Sequence, residues 1–99
     1  MKKVYWVSLC YEGAHGGGLY VLGDHLQFRT NKIQLPDNVK NITIPFSEVA
    51  QITKSRSLHL FPAILITLRS GVSYKFILLR RTELINYFQK RKMEGVQRS

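Results

Sequence analysis

The sequence predicts a mainly β fold: a barrel or sandwich of about seven antiparallel strands capped by one C-terminal α-helix. Three observations carry that prediction. Apolar and polar residues alternate through most of the chain before residue 80, the period of a half-buried strand. Turn chemistry recurs between the alternating runs, at Gly23-Asp24, Pro36-Asp37-Asn38 and Ser70-Gly71. Beyond residue 81 the period lengthens, and Leu84, Ile85 and Phe88 fall at helical spacing.

The first strand, residues 4–11, sets Tyr5, Val7, Leu9 and Tyr11 against Val4, Trp6, Ser8 and Cys10. Its β-branched and aromatic content suits a pleated surface. The glycine-rich residues 13–18 are expected to break it as a flexible loop. Residues 19–22 and 26–30 then form a hairpin around Gly23-Asp24. Residues 31–40 are polar, contain Pro36, and are expected to be a loop. Residues 41–46 alternate again, and Pro45 near their end demands an edge strand or a bulge, because proline donates no ladder hydrogen bond. Ser47-Glu48 makes a corner into a short strand at residues 49–53, and residues 55–59 are a polar connection. Residues 63–68 and 72–78 pair across a two-residue turn at Ser70-Gly71. Thr82 is placed to cap the helix, Glu83 suits its first turn, and Lys90, Arg91 and Lys92 offset the negative end of its dipole. Gly95 is expected to stop it. One domain over residues 1–95 follows, with 96–99 as a flexible tail.

A chain of 99 residues, 44% hydrophobic, has enough apolar area to fold and too little for a large internal substrate cavity. The single cysteine, Cys10, excludes a disulfide within the chain and a multi-cysteine zinc site. The apolar stretch near the start is short for a signal peptide, and no small-residue cleavage site follows it. No apolar run approaches the roughly 20 residues that span a bilayer. A cytoplasmic protein is expected, peripheral at the membrane if it meets one.

Seven strands bent into two nearly orthogonal sheets leave one end of the sandwich open, and a helix presenting Leu84, Ile85 and Phe88 can plug it. That is the logic of the pleckstrin-homology-like barrel, whose order is seven strands and then a helix. Within that order, the stretch from Gly17-Gly18-Leu19-Tyr20 through Gly23-Asp24 to Leu26-Gln27-Phe28 resembles the hairpin of the GRAM family. Ile44-Pro45-Phe46, with Val49 to Ile52 behind it, is similar to that family's next segment. Ser70-Gly71-Val72-Ser73-Tyr74-Lys75-Phe76, with Arg81 and the helix, is similar to its closing hairpin and cap. The resemblance covers residues 12–90 and implies a non-enzymatic binding module of a kind found in membrane-associated proteins and as small bacterial proteins.

Catalytic and metal constellations fare poorly. Cys10, His15, His25 and His59 lie in separate elements at irregular spacing, without the close ligand pairs that metal sites use. The six carboxylates fall in turns, at a corner or at the two ends of the helix. The glycine run is followed by a strand and lacks the helix whose amides would hold a phosphate. No enzyme, metal or cofactor is expected.

The basic residues carry the functional signal: 15 against 6 acids, a net charge of +9. Arg80, Arg81, Lys90, Arg91 and Lys92 cluster around the helix, while Lys32, Lys40, Lys54 and Arg56 form a second candidate set on the loops. Such charge draws anionic partners. In the phosphoinositide-binding relatives of this barrel, lysines and arginines crowd the first inter-strand loop. Residues 12–18 hold neither, so any contact with lipid is expected to be generic. The expected function is an interaction module that binds a protein partner or an anionic membrane surface through a basic face, with self-association left open. The alternative is a basic nucleic-acid-binding protein, which would want exposed aromatics among its cations as stacking platforms. Most aromatics here fall on strands and are expected in the core, and Tyr87 is the one expected outside.

Overall fold

The computed structural model describes residues 3–30, 35–56 and 60–98, with side chains to Met93. It contains β1 (Lys3–Cys10), β2 (Ala14–Val21), β3 (His25–Arg29), α1 (Asp37–Lys40), β4 (Asn41–Pro45), a 3-10 turn (Phe46–Glu48), β5 (Val49–Arg56), β6 (Pro62–Leu68), β7 (Ser73–Ile77) and α2 (Arg81–Arg98). The fold is mainly β with a C-terminal helix. Its seven strands are antiparallel and form one sheet in the order β4-β3-β2-β1-β7-β6-β5. The two expected sheets are therefore continuous. They join through a short β1–β7 ladder of two pairs, Ser8↔Ile77 and Leu9↔Phe76.

The sheet's two edges, β4 and β5, follow one another in the chain with only Phe46–Glu48 between them. Three residues cannot span a flat seven-stranded sheet, so the sheet rolls until its edges meet at this corner. The corner is held by backbone bonds from Phe46 N to Asp24 O and from Arg69 N to Glu48 O, both 2.9 Å. Pro45 closes the edge strand β4, as its missing donor requires.

Strand alternation places the core as the sequence predicts. Tyr5, Val7 and Leu9 of β1, Leu26 and Phe28 of β3, and Ile42 and Ile44 of β4 are buried, and the residues between them are not. Phe28 meets Phe76 across the barrel at 5.4 Å between ring centres.

Several boundaries differ from the sequence reading. Residues 14–18 are not a loop: β2 begins at Ala14, and Gly16, Gly17 and Gly18 pair with Ser8, Val7 and Trp6 of β1. Glycine has low strand propensity, but a full partner strand overrides it. The connection shrinks to residues 11–13, where Gly13 takes φ 120°. Residues 37–40 form the single turn α1, and β5 runs on to Arg56 because β6 pairs with it that far. In the last hairpin, Leu68 N donates to Val72 O and Gly71 N to Leu68 O. The turn is thus three residues long, with Gly71 at φ 96° in the left-handed position such loops use. Leu84 N bonds to Arg80 O, so the helix starts before Thr82, which lies in its first turn instead of capping it. Gly95 lies within α2 instead of ending it, since a helical glycine costs only about 1 kcal/mol.

The helix plugs the rolled sheet. Leu84 and Phe88 are buried against it, with Ile85 and Tyr87 half-buried beside them. Phe88 meets the corner residue Phe46 edge to face, 5.1 Å between centres at 88°. Replacing Phe88 with alanine removes this contact and opens a cavity at the corner. Urea unfolding of Phe88→Ala is expected to show a loss of roughly 3–5 kcal/mol, and wild-type stability would show that the helix is not the plug.

Candidate functional site

The predicted cations do not converge on one face. The Arg81 guanidinium donates to the carbonyl of Ser55, which brings Arg80 and Arg81 beside Lys54 and Arg56 on either side of Ser55 in β5. Lys92 Nζ donates to Val49 O at 3.3 Å and lies 5.9 Å from the Phe88 ring centre. That contact sets Lys90, Arg91 and Lys92 at the other end of β5, where Arg91 lies against Gly23 of the β2–β3 turn. Lys40 sits apart, before β4, with Nζ 3.8 Å from Asp37 Oδ1. Lys32 lies outside the described residues, as does His59.

Several of these charges serve the fold. Arg81 and Lys92 donate hydrogen bonds to β5 carbonyls, and Arg80 pairs with Glu83. Lys54, Arg56 and Lys90 are exposed and make no ion pair among the described residues.

A polar cluster ties the helix start to β1. Lys3 Nζ lies 3.4 Å from Glu83 Oε2 and 5.2 Å from the centre of the Tyr87 ring. Tyr87 is therefore half-buried beneath a lysine, and is not the exposed aromatic expected from the sequence. The Arg80 guanidinium holds the Glu83 carboxyl below its usual range, helped by Tyr5 and Lys3 and opposed by partial desolvation. Burial, and secondarily the Glu83 carboxylate, pushes the Tyr5 phenol far above its ordinary value. His25 Nδ1 lies 2.7 Å from Asp24 Oδ1 and holds that carboxyl low as well. Among the described residues, no three His, Cys, Asp or Glu side chains approach one another closely enough to hold a metal.

The surface feature that sequence reasoning missed lies on the outer face of β1 and β2. Trp6 is 80% exposed, although its neighbours Tyr5 and Val7 are in the core. Leu79 is 85% exposed and Phe61 54%. These three line an open groove together with β2 at Gly16, Gly17, Gly18 and Tyr20, and with Arg29, across the ladder from Gly18, and Thr30. Leu60, immediately before Phe61, is exposed at φ 64°, a conformation that branched side chains rarely adopt. The alternation of β1 already set Trp6 opposite Tyr5, Val7 and Leu9. Placing strand aromatics in the core by residue type obscured that signal.

No family model matches the chain, and no curated protein matches it either. Among solved structures it is similar to the C-terminal domain of an unknown protein from Leishmania infantum, with a TM-score of 0.74 at 16% identity. The match covers 90% of this chain and 80% of the other. At that identity the likeness concerns the fold alone. Among the described residues no helix is long and apolar enough to cross a membrane.

The Tyr5 environment has a consequence for stability. Unfolded tyrosine ionises near pH 10, whereas the fold keeps Tyr5 protonated beyond that point. Above about pH 10 the unfolded chain therefore binds fewer protons than the folded one, and stability falls as pH rises. Thermal melts of wild type and Tyr5→Phe at pH 8 to 11 are expected to diverge in the variant's favour only in the upper part of that range. Parallel curves would show that Tyr5 ionises freely in the fold.

Proposed function

We propose that this chain is a non-enzymatic interaction module that docks a protein partner on the outer face of β1 and β2, with its dispersed positive charge drawing anionic partners toward it. One observation carries the reading. An indole 80% exposed at the middle of a central strand, clustered with Leu79 and Phe61, is the composition of a contact surface. The GRAM-like motifs support the same class of function. So does the state of two of the acids: His25 holds the Asp24 carboxyl and Arg80 the Glu83 carboxyl below their ordinary range, which makes them poor proton-transfer groups near neutral pH.

A membrane or nucleic-acid partner would use the same aromatics differently. Single-stranded nucleic acid stacks on exposed rings but needs a run of cations beside them, and among the described residues the groove is lined by one, Arg29, with Arg80 beside Trp6 and Leu79 but paired to Glu83. An anionic bilayer would engage the exposed cations Lys54, Arg56 and Lys90, none of which lines the groove beside Trp6.

A photo-crosslinking residue placed at position 6 is expected to form a discrete adduct in cells, while one at Thr43, exposed on β4, forms none. Adducts at position 90 in place of position 6 would move the contact to the basic helix end and overturn this reading. Trp6→Ser is expected to change stability by no more than about 0.5 kcal/mol, as a surface substitution, while abolishing that association.

A further inference from the structure

The groove floor contains a glycine that the fold itself does not need. Along β2 the outward positions are Ala14, Gly16, Gly18 and Tyr20, set opposite Cys10, Ser8, Trp6 and Val4 of β1. Glycine inside a strand is destabilising relative to alanine, so each one asks for a reason. Gly17 has one: a methyl group there would stand 2.9 Å from the Phe28 ring and would overlap the Arg29 carbonyl. Gly18 has one as well, because a methyl group would press on the Tyr20 ring at 3.2 Å. Gly16 has neither. Nothing lies within 4 Å of where its Cβ would be, and its φ is outside the left-handed region. The space that Gly16 leaves is outside the molecule, on the groove floor. Strand glycines of this kind mark places where another backbone or a ligand comes close.

The walls state the chemistry of the occupant. Trp6 and Leu79 form an apolar side. Arg29 stands opposite, its guanidinium 5.7 Å from the Tyr20 ring centre and bonded to Gln27 Oε1 at 3.3 Å. The Thr30 hydroxyl, bonded to Gly16 O at 2.8 Å, pins the floor between them. No carboxylate lines the groove among the described residues, and the chain as a whole carries +9.

We propose that this groove takes a short extended segment of a partner protein, with its backbone lying over Gly16, an apolar side chain against Trp6 and Leu79, and a carboxylate on Arg29. The proposal rests on the outer face of β1 and β2 being the contact surface and adds the occupant. Concavity decides against a bilayer, since a flat lipid surface resting on Trp6 and Leu79 has no use for an empty floor. Among the described residues the groove is lined by one cation, Arg29, and Arg80, beside Trp6 and Leu79, is held by Glu83; a polyanion, whose affinity grows with the number of phosphates neutralised, finds little there.

Trp6 is the chain's one tryptophan and so reports on its own wall. The purified full chain is titrated with three blocked octapeptides alternating leucine with glutamate, leucine with lysine, and serine with glutamate, while Trp6 emission is followed. Only the leucine–glutamate peptide is expected to give a saturable blue shift. Gly16→Val is expected to weaken that binding at least roughly tenfold while melting at or above the wild-type temperature, since valine suits a strand better than glycine. Arg29→Gln is expected to weaken it similarly. Vesicles of mixed phosphatidylcholine and phosphatidylserine, and oligothymidylate, are tested in parallel. Unchanged peptide binding by Gly16→Val overturns the proposal. So does a response to vesicles or oligothymidylate alone that Gly16→Val leaves intact. If no peptide binds while position 6 still crosslinks in cells, the peptide occupant falls and the contact surface stands.

Discussion

Three residues, Phe46–Glu48, separate the two edges of a seven-stranded sheet, and the rest of the structure follows from that constraint. A sheet whose edge strands are consecutive in sequence and joined so tightly must curl. Curling gives it an inside, and the inside is where Phe28, Phe76, Ile44 and Ile64 are buried. The rolled sheet is still not closed by hydrogen bonds between β4 and β5 among the described residues. An apolar helix has to finish what the ladder leaves open. Phe46 serves both tasks: it turns the corner and offers its ring to Phe88.

The helix in turn accounts for part of the chain's basicity. Carbonyls of a sheet edge are costly to cover unless something donates to them. Arg81 and Lys92, eleven positions apart on α2, donate to Ser55 and Val49 near the two ends of β5. They fasten the helix along the edge strand like a pair of clamps. Lys3, Arg80 and Glu83 fasten the helix start to β1 in the same way. A high net charge is thus partly a by-product of sealing an edge with cations, and counting cations alone overstates the surface left for a partner.

The outer face of the same sheet shows the opposite economy. Gly17 is small because the core presses on it from Phe28, and Gly18 because Tyr20 and Val4 lean over it. Inward and outward demands meet at adjacent residues, so a run of glycines that looks uniform in one dimension has separate causes in three. Trp6 lies opposite Gly18 in the ladder, and that neighbour offers no side chain to pack on the indole.

The sequence by itself determined the fold class, the number of strands, the inward face of β3 and β4, the edge position signalled by Pro45, and the buried stripe Leu84–Phe88. Each of these rests on local periodicity or on proline's missing donor, and such signals survive in one dimension. Only the tertiary structure decided that residues 14–18 are a strand, that β5 reaches Arg56 and that the helix passes Gly95, because partner strands and packing outweigh propensities of about 1 kcal/mol or less. It also decided which cations are spent on β5 carbonyls, and that Tyr87 lies under Lys3 while Trp6 stands free of the core. Those outcomes depend on which residues distant in sequence become neighbours in space, and side-chain type carries no record of its neighbours.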